Sequence, residues 1–203
     1  MEGFLRWMKI ELPGIDYISP SANTSTNQNV PSSIINQIGS GEVRMIFVPI
    51  NHSNNHWTLL VLDLVNRSYF HYDPMIGSGN VDITINRIID SVENFVGGRF
   101  RNLGSTIIFP RPQASNWECG YLCLLMSFFQ ANSLSLPEEF SIEMVSNLRN
   151  FLHSAIIGEE NKRFNPFGAS EPSNQTVLGS SGKPLGPAND SASVNMLVKV
   201  IFF

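Results

Sequence analysis

Apolar residues are densest between residues 43 and 74. The runs 43–51 (VRMIFVPIN), 56–65 (HWTLLVLDLV) and 67–74 (RSYFHYDP) are rich in β-branched and aromatic side chains. Such runs predict three strands, and the short Asn66-Arg67 link predicts a hairpin between the second and third. Over 81–96 the period changes: Ile85, Ile88, Ile89, Val92, Phe95 and Val96 recur at helical spacing until Gly97-Gly98 stops the pattern. Residues 105–110 (STIIFP) predict a further strand, closed by Pro110 and Pro112. In QASNWECGYLCLLMSFF, starting at Gln113, Asn116 reads as an N-cap. The apolar run after it is too continuous for an exposed helix and predicts a buried central one. A last amphipathic helix is expected over 138–157, with Phe140, Met144, Leu148, Phe151, Leu152 and Ala155 facing inward.

The two ends read differently. Residues 1–40 include SPSANTSTNQNVPSS and predict a loop-rich segment, while 159–194 are dominated by Gly, Ser, Pro, Asn and charge. The expected organisation is a divergent N-terminal segment (1–40), an α+β core (41–158) and a disordered tail (159–203). No internal repeat is present.

Composition narrows the class. The chain has 203 residues, 42% of them hydrophobic, which is enough for one domain with a sizeable core. A net charge of −4 gives no broad basic surface for nucleic acid. No apolar run reaches the ~18–20 residues that span a bilayer, and the first residues lack a signal-peptide layout. Cys119 and Cys123 lie four apart in one apolar segment. That spacing suits one helix better than a disulfide, and a reducing compartment, cytoplasmic or nuclear, is the expectation. No His/Cys/Asp cluster stands at metal-ligand spacing, and a metal would quench a thiolate nucleophile. Neither metal nor cofactor is expected.

A thiol becomes a good nucleophile when its pKa is lowered and a base is held beside it. Cys119 falls in the first turn of the predicted central helix, where unpaired N–H groups and the macrodipole favour thiolate. Gly120 after it leaves room for a substrate backbone, and Cys123, one turn on, reads as core packing. The base candidates are His52, His56, His71 and His153. His56 opens an apolar strand, and Asp73 ends the next strand 17 residues later, so the two can meet as base and orienter. His71 shares the strand face of Asp73, and the pattern does not exclude it. Asp63 reads as a solvent-facing position. Gln113, six residues before Cys119, can offer an amide donor to an oxyanion.

The segments HWTLLVLDL, FHYDP and QASNWECGYLCL, in this order, resemble the Ulp1/SENP family of ubiquitin-like-protein proteases, of the C48 type. VPIN and FHYDP look most like the branch that processes NEDD8. The resemblance implies a papain-like, Ulp1-like cysteine protease fold: a central mixed sheet packed by helices, with a buried central helix bearing the nucleophile. It implies that Cys119 is the nucleophile, His56 the base, Asp73 its orienter and Gln113 the oxyanion donor. Trp57 would wall a narrow tunnel that admits a diglycine tail. The implied partners are a ubiquitin-like protein (NEDD8, SUMO or ubiquitin) and its conjugates, acted on by a monomer. Two departures stand out. Glu118 replaces the family's Asp before the cysteine, and nothing before Tyr17 matches the family's Trp-Leu-Asn/Asp-Asp segment, so the front of the domain is expected to be truncated or replaced. A second reading follows from that departure: a weakly active or inactive module that binds a ubiquitin-like protein. A third, acetyl transfer, is disfavoured because such relatives carry Glu where Asp73 stands.

Overall fold

The structure, a computed structural model of the chain, describes residues 1–19, 32–52, 56–75, 82–104, 118–156 and 164–168. Five strands, β1 (Ile15–Tyr17), β2 (Met45–His52), β3 (His56–Asp63), β4 (Ser68–Tyr72) and β5 (Arg101–Asn102), form one mixed sheet in sequence order. The three central strands are antiparallel, and the edges β1 and β5 join parallel to β2 and β4. The β3–β4 hairpin is the one the sequence predicts. Its turn is closed by Asp63, whose carboxylate accepts from the backbone N–H and side-chain amide of Asn66, while Arg67 takes a positive φ of 46°.

Helices cover both faces, which is why β2 and β3 read as nearly continuous apolar runs. Successive strand residues point to opposite faces. Met45, Phe47, Leu59, Val61, Phe70 and Tyr72 face one layer, made by α1 (Glu2–Glu11), α4 (Cys119–Ala131) and α5 (Ile142–Ile156). Ile46, Val48, Ile50, Leu60 and Leu62 face the other, where α3 (Asp82–Val96) supplies Ile85, Ile88, Ile89 and Val92. Ile35 and Ile38 of α2 (Ser32–Gly39) complete that layer. At the end of α3, Gly97 adopts φ 65°, and the N–H groups of Gly97 and Gly98 both donate to the Glu93 carbonyl. The predicted glycine stop is therefore a left-handed C-terminal cap.

Helix α4 is the centre of the molecule. Ten of its residues, from Cys119 to Ala131, are buried, so no polar stripe could mark it as amphipathic. Its last turn is tied down from the sheet: the Arg44 guanidinium donates to the Ala131 carbonyl at 2.7 Å.

The ends depart from expectation. Residues 1–40 are not simply loop-rich, because α1, β1 and α2 all lie within them. In α1 the charges Glu2, Arg6, Lys9 and Glu11 sit among apolar residues and mask a helical repeat. Phe4, Leu5, Trp7 and Met8 form its buried face. Lys9 then pairs with Asp16 at 2.8 Å, whose other oxygen accepts the Tyr17 N–H, and α1 is thereby fixed to β1. The disordered tail expected from 159 is also corrected at residues 164–168. Phe164 enters the core, edge-on to Phe128 at 4.8 Å and to Phe4 at 5.7 Å between ring centroids. Two aromatics three apart in a polar stretch, Phe164 and Phe167, carry no pattern from which the burial of the first can be read. The strand expected at 105–110 lies outside the described residues. The short β5 forms just before it through backbone bonds, Arg101 N–H to the Arg67 carbonyl and Leu103 N–H to the Tyr69 carbonyl. The final helix starts at Ile142, so Phe140 reaches the core from the segment before it.

Candidate active site

Two adjacent strands bring His56 and Asp73 together. In the antiparallel register Leu59 lies opposite Tyr72. One step further places Asp73 opposite Thr58, which makes His56 its diagonal neighbour on the same face, a separation that longer side chains bridge. His56 Nε2 lies 2.7 Å from Asp73 Oδ1. A carboxylate only accepts, so Nε2 carries the proton and Nδ1 is left with its lone pair. The same Oδ1 accepts the Met75 N–H at 2.8 Å, which fixes the carboxylate from the chain that follows it. His56 Nδ1 is buried and has no hydrogen-bond partner. An orphaned acceptor in the interior is costly, and at such a position it is the lone pair a base requires.

Cys119 is the first residue of α4, with Glu118 at the N-cap position and the Leu122 N–H bonded to the Glu118 carbonyl. The N-cap position is held by Glu118, whereas the Asn116 expected there from the sequence lies outside the described residues. Glu118 has helical backbone angles and makes no side-chain cap bond. As the first helical residue, Cys119 has an N–H without an intrahelical acceptor and a thiol at the positive end of the helix dipole. The residue is 4% exposed.

Trp57 joins the cysteine helix to the histidine strand. A Cβ on Gly120 would meet Trp57 Cδ1 at 3.7 Å and the Met1 methyl at the same distance. From one turn further along α4, the Cys123 thiol donates to the Trp57 carbonyl at 3.5 Å. The N-terminus of α4 is therefore seated at the start of β3, where His56 and Trp57 follow one another. Cys123 is core, as read from the sequence. Burial pushes its thiol pKa well up, with the nearby Cys119 and Asp73 acting in the same direction. Burial likewise raises the Tyr72 phenol, helped by Cys123 and Asp73.

Gln113 lies outside the described residues, as does Asn116. Of the other base candidates, His153 is exposed near the end of α5, and His71 is half-buried on β4 opposite Leu60. His52 proves closer to the site than its position as an isolated histidine suggests. It lies opposite His56 in the β2–β3 ladder, with the two rings stacked at 5.7 Å. Counting register across the three residues between the strands would have found it. Among the described residues no group of three His, Cys, Asp or Glu side chains is placed to hold a metal ion.

Residues 36–102 match the family model of the Ulp1 protease family, C-terminal catalytic domain. That stretch contains His56, Trp57 and Asp73 and ends before Cys119. Solved structures extend the likeness in fold to about three quarters of the chain. The SUMO protease Ulp1 with its catalytic cysteine oxidised to a sulfenic acid is similar, with a TM-score of 0.62 at 15% identity over 77% of this chain and 74% of that one. The sulfonic acid form gives 0.61 at 16% identity over 78% and 75%. The C-terminal Ulp1 protease domain in complex with Smt3, the yeast ortholog of SUMO, gives 0.50 at 17% identity over 68% and 66%. No curated protein matches at the level of sequence. The fold is thus the Ulp1-like, papain-like α+β fold, and a third of the chain carries that family's sequence pattern.

Proposed function

We propose that the protein is a thiol-dependent peptidase or isopeptidase that cleaves after the C-terminal diglycine of a ubiquitin-like modifier, NEDD8 or SUMO. The observation that carries this reading is the His56–Asp73 pair at 2.7 Å, which leaves a buried, unpartnered Nδ1 on the histidine.

In the proposed reaction His56 Nδ1 takes the Cys119 proton, and the thiolate attacks the carbonyl carbon of the terminal glycine. Asp73 holds the ring in the required tautomer and stabilises the imidazolium. Negative charge develops on the carbonyl oxygen, where the Cys119 N–H and the Gln113 amide are the expected donors. The carbon–nitrogen bond then breaks. His56 gives its proton to the leaving amine, and a thioester between Cys119 and the modifier remains. Water, deprotonated by His56, attacks that thioester and releases the carboxylate and the thiol.

Selection for diglycine follows from the indole of Trp57 beside the start of α4, since a chain without Cβ atoms lies flat against it. The likeness to NEDD8-processing proteases in VPIN and FHYDP supports NEDD8, and the fold shared with SUMO proteases supports SUMO. The test is covalent labelling of the full chain with diglycine-ended activity probes made from NEDD8, SUMO and ubiquitin. Labelling at Cys119 that disappears in Cys119→Ala is the expected result. Folded protein that none of the three probes labels would overturn the reading.

A further inference from the structure

We infer that His52 is a positioning residue for His56, holding that ring in place while neutral and setting the lower pH limit of the His56–Asp73 pair by becoming charged. The inference rests on the role of His56 proposed above. Its basis is the β2–β3 ladder, which sets His52 directly opposite His56 in the last pair before the connection between the two strands. The two imidazoles stack at 5.7 Å between centroids with 29° between their planes. His52 is itself held, because its Nε2 lies 3.0 Å from the hydroxyl of Thr58, which is fully buried. The stack therefore leans on a fixed wall, and His56 is gripped between that wall and the Asp73 carboxylate.

Charge on His52 changes the picture. The titratable groups that act on it are His56 on β3 and Asp73 after β4. The rest of β2 (MIFVPIN) carries none. Burial first, and His56 second, hold His52 below the ordinary histidine range, and Asp73 acts against both. At neutral pH the ring is uncharged and stacks without repulsion. Once protonated, it sets a positive charge beside the ring that must itself become an imidazolium during the reaction, and it competes for the same Asp73 carboxylate. Two unit charges at this spacing in partly hydrated protein shift an equilibrium by roughly ten- to a hundredfold.

The test uses the full chain with three variants and two readouts. Rates are measured between pH 5 and 8 on aminocoumarin substrates made from NEDD8, SUMO and ubiquitin, and ring-proton NMR titrations of His52 and His56 are recorded alongside. His52→Ala, which loses both stack and Thr58 bond, is expected to lower kcat at neutral pH by about tenfold with KM little changed. His52→Asn, which keeps a polar partner for Thr58 but cannot be charged, is expected to restore most of that loss. In His52→Asn the wild-type fall in rate below pH 6.5 becomes shallower, and the wild-type midpoint of that fall coincides with the NMR titration of His52. His52→Arg, charged throughout, is expected to be slow at every pH. Superimposable acid limbs in wild type and His52→Asn would overturn the inference while leaving the protease reading intact. If none of the substrates is cleaved, the protease reading fails and the NMR decides the inference: His56 signals that follow the His52 titration in wild type, and not in His52→Asn, support it, and signals that ignore it overturn it.

Discussion

Asp73 Oδ1 lies 2.7 Å from His56 Nε2 across two strands hydrogen-bonded to each other, with the Met75 N–H holding the carboxylate from behind. Geometry of this kind belongs to the sheet, so it survives changes to either side chain. Asp73→Asn is accordingly expected to fold with little loss of stability and to lower kcat by roughly 10²- to 10⁴-fold, because the amide no longer enforces the Nε2–H tautomer. Steady-state kinetics on a diglycine-ended substrate, with circular dichroism as the folding control, checks this. An unchanged kcat would remove Asp73 from its role.

Gly120 separates stability from substrate access. A methyl group there would stand in ordinary contact with Trp57 and Met1, at 3.7 Å from each, and it replaces a glycine inside a helix. Gly120→Ala is therefore expected to keep or raise stability by up to about 1 kcal/mol, while labelling by the diglycine probe falls at least tenfold. Thermal melting and probe labelling of the same sample give the two readouts.

Phe164 contributes to the core from beyond the last helix. Its ring packs against Phe4, Phe128 and Phe151. Phe164→Ala is expected to cost about 3 kcal/mol, within the usual range for a buried phenylalanine. Ending the chain at residue 158 should cost at least as much. Denaturant melts measure both, and a loss below about 1 kcal/mol would contradict the packing.

Alkaline pH should weaken the fold through Cys123 and Tyr72. Both have folded pKa values raised by burial above their unfolded ones, so the folded state holds their protons more tightly. Their contribution is fully present below the unfolded thiol value near 9 and is lost as pH rises beyond it. Stability measured from pH 8 to 11 is expected to fall, and to fall less steeply in Cys123→Ala and in Tyr72→Phe than in wild type.

His52 works in the opposite direction. Its folded value lies below the ordinary 6.5, so its stabilising contribution is present above that pH and is lost as pH falls below it. Unfolding measured from pH 7 to 5 should show a smaller loss in His52→Asn than in wild type.

The strands 45–52, 56–63 and 68–72 and the helix 82–96 were legible because each carries many side chains with one preference. β-branched and aromatic runs have few alternatives to strand, and a 3.6-residue repeat ended by Gly97-Gly98 has few alternatives to a capped helix. Helix α1 was masked because its charged face interrupts its apolar one within ten residues. Phe164 was illegible because a single buried ring makes no pattern.

By itself, the sequence determined which residues are chemically equipped: a cysteine at a helix start, a histidine opening an apolar strand, an aspartate closing the next. Those assignments rest on residue type and spacing, which are local. Only the tertiary structure decided which histidine meets Asp73, which of its nitrogens is left free, that Trp57 faces Gly120, and that His52 stacks on His56. Each of these depends on strand register, and register is set by which side chains the whole sheet buries. A slip of one residue would turn every one of them to the opposite face.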